Sequence, residues 1–533
     1  VKIALITILL SFYILSDGLN PSFKEIELMP KSISKDYYIW RFIKQKNTTK
    51  KKALKAYSWT KRKSYKLQKA IRKKVGYVPN KNSSIKKNPK NFIIYPSVAG
   101  AKRYRSLKKL KRLYRKIKKQ GKYSDVLQVF TAKNPYKELR KLPIKTQLYI
   151  LNSINHKYYK RYFNHSLSKK QLEAFSKEST FNRTIFKIIT THKLQKPKKS
   201  LIFDSGINSL NFESNFLLAM NAIEFKKINR AINFLSIART KTKRQSQYDQ
   251  VDFWLYLLTN YNRFLDRLLK SSQINIYTLK ARDILNKPYP KVVTPIFKDR
   301  EIKDFNITNP IDWENLKITI KKSSKRLNRL AKKYKSAKTL GVYTYIKEKA
   351  TKYRVPYFPM PYPDAMKKFD IRRQAILYAI ARQESRFIPA SISTSYALGM
   401  MQIMPFLIKH LSKERGAKMD LNQIFDPRVA ISYANQHMDY LTSWLYHPLF
   451  VAYAYNGGIG FTKKRLKSKH LFKKGKYEPY LSMELIDYKE SREYGKKVLA
   501  NYIIYLNILG VSTKITPLLD ILAYPSKTDR FRK

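Results

Sequence analysis

The sequence predicts a mainly α-helical protein built from stacked helix pairs. Over most of the 533 residues, apolar side chains recur at intervals of three and four, the period of one helix face. Between residues 125 and 285 glycine and proline are sparse, and no valine–threonine alternation indicates a sheet. Helix pairs that bury their apolar stripes against neighbouring pairs form a solenoid. We therefore predict a long N-terminal helical superhelix followed by an α-rich C-terminal domain.

The N-terminal solenoid is predicted from successive helical segments with short breaks between them. One apolar stripe, for example, contains Phe216, Leu217 and Met220. The predicted segments are 137–160, 167–176, 214–238 and 246–270. No strict repeat period accompanies them, so the prediction of a solenoid depends on helix content alone.

Proline clusters predict the boundaries between domains. Residues 286–312 contain four prolines, and 353–363 contain four more among aromatic side chains. A helical pattern from 313 to 334 separates the two clusters. The predicted units are a signal segment (1–18), a basic helical domain (19–285), a helical linker domain (286–362), the domain of the candidate site (363–515) and a C-terminal tail (516–533).

The first residues predict a secretory signal. Lys2 precedes an apolar run from Ile3 to Leu15, which is shorter than the roughly 20 residues that a membrane helix needs. Strongly basic sequence follows, so we interpret residues 1–18 as a signal peptide with cleavage near Gly18. A buried N-terminal helix and an uncleaved anchor are the alternatives. The sequence contains no cysteine, which excludes a lipidated cysteine, disulfides and thiolate chemistry.

The composition is strongly basic. Lysine and arginine number 111 against 35 aspartate and glutamate residues, a formal net charge of +76. Such an excess indicates polyanionic surroundings or partners. Nucleic acid is one candidate, but with a secretory start an anionic wall polymer or membrane surface fits better than a specific nucleic-acid partner. A basic bias of the whole source proteome is the other explanation.

The basic residues are concentrated in 37–124, a stretch without aspartate or glutamate. Within 104–117 apolar residues recur at three and four, which predicts an amphipathic helix with a basic outer face. Residues 80–90 predict an exposed loop. The basic face is either an anion-binding surface or an ordinary solvated face. An electrostatic role requires wall binding by this stretch to weaken steeply with salt.

A helix in the last third of the chain carries the candidate catalytic residue. In 375–405, AILYAIARQESRFIPASISTSYALGMMQIMP, Ile376, Ile380 and Glu384 share one helical face. Pro389 predicts that the helix ends soon after Glu384. Low dielectric and the negative end of the helix dipole both raise a carboxyl pKa, and a general acid must stay protonated near neutral pH. A salt-bridged or snorkelling glutamate is the alternative.

Three further motifs follow this helix. Residues 399–405 read GMMQIMP, 452–458 read AYAYNGG and 490–494 read ESREY. Together with ARQES at 381–385, the series resembles the soluble lytic transglycosylases of bacterial cell-wall turnover, whose catalytic domain has a goose-type-lysozyme-like fold. The resemblance is sharp over about 371–510 and diffuse before that.

The resemblance implies a U-shaped N-terminal superhelix, a lysozyme-like catalytic domain and a reaction. The enzyme would cleave the β-1,4 bond between N-acetylmuramic acid and N-acetylglucosamine in peptidoglycan strands. Glu384 would protonate the leaving oxygen and then accept a proton from the muramyl C6 hydroxyl, which closes a 1,6-anhydro ring without water. No cofactor is implied. The location would be the periplasm, and wall-synthesis or wall-hydrolysis proteins would be partners.

The resemblance also implies roles for other motif residues. The implied substrate-binding residues are Ser393, Gln402, Met404, Tyr455, Asn456 and Glu490. Ser393 would form hydrogen bonds with sugar substituents, and Gln402 and Met404 would line the wall of the groove. Tyr455 and Asn456 would orient Glu384 and the saccharide. Glu490 would hold a polar group of the substrate, with Tyr494 packed behind it.

The chain departs from the family pattern in two places. Tyr396 and Ala397 stand where Gly-Ala usually precedes the GLMQ motif. The usual AYNAG has become a sequence ending in Gly457-Gly458, with an extra Tyr453. These differences affect the expected loop shape and subsite preference, and they leave the acid unchanged.

No metal is expected, and two other functions stay open. The seven histidines form no HExxH pair or other close ligand set. His437 lies on a helix predicted to start at Asp426-Pro427 and to run to about Trp444, and we interpret it as structural. A hydrolytic goose-type lysozyme would need a carboxylate that holds water opposite Glu384. A non-enzymatic wall- or nucleic-acid-binding scaffold is the other alternative.

Overall fold

The computed structural model describes residues 21–76, 111–112, 114–115, 122–203, 209–468 and 470–532. The predicted signal segment, the predicted loop at 80–90 and most of the predicted helix at 104–117 lie outside the described residues. Within the described part, helices account for the regular structure, and β-structure is limited to isolated bridges. The mainly α-helical class is therefore confirmed.

The first four described helices form what we call the N-terminal arm, residues 21–76. They are α1 (Phe23–Leu28), α2 (Ile33–Lys44), α3 (Lys50–Ser58) and α4 (Tyr65–Val75). Each begins at a serine or threonine whose hydroxyl accepts a backbone N–H of the first turn. The arm helices pack on one another and contact the C-terminal part of the chain.

The helical solenoid follows the arm. Its helices are α5 (Lys122–Thr131), α6 (Pro135–Arg140), α7 (Ile144–Ser153), α8 (His156–Tyr162), α9 (Lys169–Ser176), α10 (Phe181–Thr190), α11 (Gln195–Ser200), α12 (Phe212–Glu224), α13 (Ile228–Thr240), α14 (Gln245–Thr259), α15 (Asn262–Leu269) and α16 (Ile276–Ile284). From α12 to α16 each helix packs on the next one in sequence, as stacked helix pairs do.

Three of the predicted solenoid segments were too long. The predicted helix at 214–238 is split by Lys226, whose φ is 58°, and the one at 246–270 by Asn260, whose φ is 57°. The left-handed backbone at these residues cannot continue a right-handed helix. The predicted 137–160 segment is three short helices, interrupted at Pro143 and at the helix cap Asn155. Apolar periodicity runs through such breaks, because both halves of each hairpin face the same core.

The segment 286–362 contains its own small core. Its helices are α17 (Pro310–Lys322), α18 (Leu327–Lys333) and α19 (Leu340–Ala350), with a 3₁₀ turn at Ser324–Arg326. The predicted helix from 313 to 334 is thus interrupted by that turn. The core buries Trp313, Leu316, Ile320, Leu330, Ala331, Val342 and Ile346, and it also includes Ile388 and Ala390. This segment therefore packs directly on the residues that follow Glu384.

The C-terminal part is a compact group of helices. They are α20 (Pro363–Met366), α21 (Ile371–Glu384), α22 (Pro405–Glu414), α23 (Pro427–Thr442), α24 (Pro448–Gly457), α25 (Ile459–Leu466), α26 (Tyr480–Leu485), α27 (Lys489–Ile508), α28 (Thr516–Asp520) and α29 (Pro525–Thr528). Asp426 caps α23 as predicted, and the helix ends at Thr442, two residues before the predicted end. The long α27 packs against α21 and α24.

Gly495 allows α27 to approach α24 closely. A Cβ at this position would overlap the ring of Tyr453, which is itself buried. The two helices carry the AYAYNGG and ESREY motifs, so this contact brings the motifs together. None of the described helices is long and apolar enough to cross a membrane.

A buried ion pair between α27 and α26 accepts hydrogen bonds from the solenoid. Lys496 Nζ lies 2.9 Å from Glu484 Oε2, and the two side chains are 6% and 2% exposed. Gln250 on α14 donates from Nε2 to the same carboxylate at 2.9 Å, and Tyr277 on α16 donates its hydroxyl to it. The carboxylate is thus satisfied from three directions. Loss of Lys496 would leave the Glu484 charge buried in a low-dielectric interior without a counter-charge.

We predict that Lys496→Met lowers the free energy of unfolding by about 3 to 5 kcal/mol, because Glu484 loses its cation while it remains buried. Denaturant or thermal unfolding of the full chain measures the change. The neighbouring Lys497 is exposed, and Lys497→Met serves as the matched control with little expected effect. Equal destabilisation by both variants would contradict a specific role for the buried pair.

Candidate active site

Glu384 is the last residue of α21, and the chain turns sharply after it. Arg386 and Phe387 have φ values of 57° and 63°, which stops helix propagation before Pro389 is reached. The buried Glu348 on α19 holds this turn from outside. Its carboxylate lies 3.3 Å from Arg382 Nη2 and also contacts Arg386 Nη1. The position of Glu384 therefore depends on the segment between the solenoid and the C-terminal helices.

Helix α21 is buried on more than one face. All residues from Ala375 to Ala381 are buried, so the single apolar stripe expected from the sequence is part of a helix that is covered all round. Burial raises the pKa of Glu384 from 4.5 to about 7. A hydrogen bond from Tyr494 opposes this shift, and the charge of Glu490 adds to it. Near neutral pH the carboxyl is therefore divided between its protonated and ionised forms.

Tyr494 on α27 is the hydroxyl that contacts the carboxyl. Its Oη donates a hydrogen bond to Glu384 Oε1 at 2.8 Å. Burial and the nearby Glu384 charge raise the Tyr494 pKa well above its ordinary value, so the phenol stays protonated and remains a donor. The bond fixes one carboxyl oxygen, and it leaves Oε2 as the oxygen for exchange of a proton with a ligand.

Ser385 connects the end of α21 to the GMMQIMP loop. Its hydroxyl donates to the carbonyl of Met400 at 2.7 Å and accepts the N–H of Ile388 at 3.1 Å. The residue after the candidate acid thus holds both the turn and the loop in place.

The loop from Ser391 to Met404 is held in place by a close backbone contact and by hydrogen bonds from a side chain of the loop. Gly399 has φ of 76°, and a Cβ there would lie 2.5 Å from the carbonyl oxygen of Ile424, so only glycine fits this close approach. Gln402 also has a left-handed backbone. Its Nε2 donates to the carbonyls of Ser391 and Gly399 at 3.1 and 2.8 Å. The Gln402 amide hydrogens are thus used inside the loop.

The other two predicted residues of this region lie in the same loop and at its end. The hydroxyl of Ser393 accepts the N–H groups of Ser395 and Ala397 at 3.3 and 2.9 Å. Met404 is partly buried and precedes Pro405, the first residue of α22. Ser393 therefore shapes the loop through its acceptor oxygen, and its hydroxyl hydrogen is available for another partner.

Tyr455 and Asn456 lie near the C-terminal end of α24. Tyr455 Oη donates to the carbonyl of Met401 at 2.8 Å. Burial and the Glu384 charge raise the Tyr455 pKa well above its usual value, so the phenol stays protonated. Asn456 Oδ1 accepts from the Ser491 hydroxyl at 2.6 Å. The hydrogen bond to Glu384 comes from Tyr494, whereas the phenol of Tyr455 fixes the loop.

Glu490 lies in the first turn of α27 and is exposed. Its Oε2 accepts the hydroxyl of Tyr488 at 2.8 Å. Among the residues that the structure describes, Glu490 is the carboxylate whose charge raises the Glu384 pKa. Tyr494, four residues later, shares its helix face, so both side chains reach the site from α27.

Tyr396, the departure from the family pattern, attaches the loop to the N-terminal arm. It is 1% exposed and has φ of 62°, a backbone region where glycine is usual. Its Oη lies 3.3 Å from Ser64 Oγ and 3.3 Å from the carbonyl oxygen of Asp36. Its ring packs 5.6 Å from that of Trp40, centroid to centroid. The cost of the left-handed backbone is offset by burial of a large ring.

Sequence reasoning did not assign to Tyr494 its contact with Glu384. It also missed the contact of Ser385 with the GMMQIMP loop and that of Tyr396 with the N-terminal arm. The spacing of four between Glu490 and Tyr494 was a usable signal for Tyr494. A serine directly after a helix end was a weaker signal for Ser385. No local pattern could reveal the Tyr396 contact, since its partners are more than 300 residues away.

The structure brings no metal-ligand set together among the residues that it describes. His437 lies on α23, partly buried, with its ring 5.7 Å from that of Tyr455. Burial lowers the His437 pKa from 6.5 to about 4, so the ring is neutral at physiological pH.

The segment that contains most of these residues is similar to a known protein family. Residues 362–477 match the family model of the Transglycosylase SLT domain. This segment contains α21, the loop to Met404 and α24, and it ends before α27. This segment of the chain is thus similar to the Transglycosylase SLT domain.

Two proteins that are similar to part of this chain are named soluble lytic murein transglycosylases. The one from Escherichia coli K12 is 28% identical over 222 residues, 40% of this chain and 33% of that protein. The one from Salmonella typhimurium LT2 is 29% identical over 227 residues, with the same shares of 40% and 33%. The matched segment thus spans about a third of the length of these relatives.

Two solved structures resemble the overall arrangement. The lytic transglycosylase Slt from Pseudomonas aeruginosa, an inactive mutant, has a TM-score of 0.48 and 16% identity, covering 87% of this chain and 80% of that one. The 70 kDa soluble lytic transglycosylase from Escherichia coli has a TM-score of 0.49 and 16% identity, covering 97% and 93%.

We predict opposite pKa changes at Glu384 from two substitutions on α27. Tyr494→Phe removes a hydrogen bond that stabilises the carboxylate, so the pKa should rise above about 7. Glu490→Gln removes a negative charge that disfavours ionisation, so the pKa should fall. NMR titration of ¹³C-labelled glutamate side chains, with Glu384→Gln to assign the resonance, measures both. Shifts of the same sign in both variants would contradict this electrostatic arrangement.

We predict that Tyr396→Gly loosens the loop although glycine suits the backbone. Loss of the buried ring should cost about 3 kcal/mol. Hydrogen exchange should become faster in residues 391–403 and in the N-terminal arm together. Tyr396→Phe is the matched control, because it removes the hydroxyl contacts and keeps the ring; it should cost only about 1 kcal/mol. Unchanged exchange in both segments of the glycine variant would refute the attachment.

Proposed function

We propose that the protein is a peptidoglycan lytic transglycosylase that cleaves the bond between N-acetylmuramic acid and N-acetylglucosamine. The observation that carries this proposal is Glu384, a buried carboxyl with a pKa of about 7 inside the segment that matches the Transglycosylase SLT domain. Relatives over part of the chain are named soluble lytic murein transglycosylases, which supports murein as the substrate.

One carboxyl near neutral pKa suits a reaction that needs an acid and then a base. Glu384 gives its proton to the glycosidic oxygen as the bond from that oxygen to C1 of the muramyl residue breaks. The muramyl C6 hydroxyl then attacks C1, and its proton returns to Glu384. Glu384 thus regains the proton that it gave, no water is consumed, and the product carries a 1,6-anhydro end. A pKa close to the working pH makes both transfers accessible to the same group.

The surrounding residues support this cycle by holding one carboxyl oxygen and the groove. Tyr494 orients Glu384 through Oε1, so Oε2 faces the substrate. The loop anchored by Gln402 forms one wall, and Met404 offers an apolar contact to a sugar ring. Ser393 donates its hydroxyl hydrogen to a sugar substituent, while Asn456 and Glu490 contact polar groups further along the strand.

The proposal also covers the cellular location of the protein and its domain boundaries. Residues 1–18 export the protein to the periplasm as a signal peptide, and 19–285 form the basic superhelical domain. Residues 286–362 are the linker domain, 363–515 the lysozyme-like catalytic domain and 516–533 the tail. The net charge of +76 supports contact with an anionic envelope. Wall-synthesis or wall-hydrolysis proteins are the proposed protein partners.

We predict that Glu384→Gln lowers the rate of wall digestion by about 10²- to 10⁴-fold, since the amide can neither give nor accept the proton. Clearing of a purified peptidoglycan suspension measures the rate. Glu301 is exposed and far from the site in sequence, so Glu301→Gln is the matched control and should keep the full rate. Wild-type digestion by the Glu384 variant would mean that the acid is another residue.

A further inference from the structure

A cavity of about 660 Å³ lies among α13, α14 and α15 of the solenoid. We call it the solenoid cavity. Small-molecule sites in proteins enclose about 300 to 1,000 Å³, so this volume suits a small organic ligand. The argument uses three arginines and two aromatic residues of the lining, namely Arg239, Tyr261, Arg263, Phe264 and Arg267. All five lie outside the segment 362–477 and outside the proposed groove beside Glu384.

Positive charge exceeds negative charge in the solenoid cavity. Arg239 donates from Nε and Nη2 to the two carboxylate oxygens of Asp252 at 2.9 and 3.3 Å, and Arg267 Nη1 lies 3.5 Å from the same group. The Asp252 side chain is 4% exposed, so one buried carboxylate serves two guanidinium groups. Within the described part of the chain, the exposed Arg263 forms no ion pair. An anion in the cavity would therefore meet an arginine without a counter-charge.

Aromatic rings hold two of the guanidinium groups in place. The guanidinium carbon of Arg263 lies 5.1 Å from the ring centroid of Tyr261 and 5.0 Å from that of Phe264. The corresponding distance from Arg267 to Phe264 is 5.4 Å. A guanidinium that lies over a ring keeps its N–H edges free to donate. Two parallel hydrogen bonds from such an edge fit a carboxylate or a phosphate group.

The cavity wall also supplies hydrogen-bond acceptors. Ser236, Thr240 and Thr259 line it, and each hydroxyl donates to a carbonyl of its own helix, at 2.9, 2.8 and 2.7 Å. Because these hydroxyl hydrogens are used, the oxygens are left as acceptors. A ligand that carries hydroxyl or amide hydrogens satisfies such acceptors, whereas a small inorganic anion has few hydrogens to offer.

Tyr261 adds an open apolar surface, since it lines the cavity and is still 57% exposed. The carbon-bound hydrogens on one face of a sugar ring form a flat apolar patch that packs on an aromatic ring. A ligand that uses every feature of the cavity has an anionic group, several hydroxyl or amide donors and one apolar face. An acidic sugar combines all three. A nucleotide has fewer hydroxyl donors, and it is the competing ligand in the test below.

We propose that the solenoid cavity binds an acidic sugar, with its carboxylate on Arg263 and its ring on Tyr261. Arg239 and Arg267, both held by Asp252, add positive charge to the same cavity. The inference goes beyond the proposed function, because binding involves no residue of the proposed groove. One consequence does rest on the proposed function: the cavity would hold a second stretch of the wall polymer on the solenoid while Glu384 acts on another.

Three small probes test which parts of the ligand are recognised. N-acetylmuramic acid is N-acetylglucosamine with a lactyl ether, so N-acetylglucosamine lacks the anion and lactate lacks the sugar. Each probe is titrated into the full chain at one ionic strength, and saturation-transfer NMR measures binding. N-acetylmuramic acid should bind about tenfold more tightly than either fragment, because charge-assisted hydrogen bonds add to the contact of the sugar ring. Equal affinity for the acid and for either fragment would overturn the proposal, and so would tighter binding of adenosine monophosphate.

Two variants separate the roles of charge and ring. Arg263→Gln should abolish the preference for N-acetylmuramic acid over N-acetylglucosamine, whereas Tyr261→Ala should weaken the binding of both sugars. Both residues are exposed, and thermal unfolding checks that each variant keeps its fold. The matched control is Arg161→Gln on α8, which removes an exposed guanidinium that also lies 5.1 Å from a ring, that of Tyr162, and it should keep the preference.

The control and a parallel assay decide between the possible outcomes. Equal loss of the preference in Arg161→Gln would mean that diffuse charge attracts the acid, and a preference that survives Arg263→Gln would mean that the acid binds elsewhere. Either result contradicts the proposal. Digestion of peptidoglycan by the wild-type protein is followed alongside. Digestion without the sugar preference overturns the solenoid cavity alone, whereas sugar binding without digestion overturns the proposed function alone.

Discussion

Burial of the Glu384 carboxyl is the constraint on which the rest of the site depends. The group ends a helix covered on all sides, and this raises its pKa to about 7. An isolated charge there would be costly. Among the residues that the structure describes, Tyr494 supplies a hydrogen bond to the carboxyl, and no cation is among the groups that shift its pKa. A lysine or arginine at the same distance would keep the carboxyl ionised and unable to act as an acid.

The large remainder of the chain fixes the elements around this carboxyl. Glu348 holds the turn after α21. The buried Glu484–Lys496 pair fixes α27, which carries Tyr494, and hydrogen bonds to Glu484 from the solenoid connect this pair to the rest of the chain. Tyr396 ties the loop that contains Gln402 to the N-terminal arm. Each attachment comes from a different part of the chain. The positions of the proposed acid, of its hydrogen-bond donor and of the proposed groove wall thus all depend on long-range contacts.

The sequence predicted the features that depend on local signals and missed those that depend on long-range contacts. Apolar periodicity was sufficient for the helical class, and Asp426-Pro427 was sufficient for the start of α23, because both are local signals. The helix breaks at Lys226 and Asn260 were missed. Lysine gives no signal for a left-handed turn, and the signal of asparagine, which favours that backbone, was overlooked within a continuous apolar pattern. The end of α21 at Glu384 was predicted from Pro389, although the backbone at Arg386 and Phe387 causes it. The contacts of Tyr494 and Tyr396 needed the fold, because their partners are far away in the chain.

Mass spectrometry of the muropeptides that wild-type protein releases from purified peptidoglycan tests the central claim most directly. A single carboxyl that serves as acid and base, with the C6 hydroxyl as nucleophile, requires products with 1,6-anhydro-muramyl ends, lighter by one water than reducing-end products. Reducing ends would contradict the account. They would mean that water attacks C1 and that a second carboxylate, with Glu490 as the first residue to test, holds that water opposite Glu384.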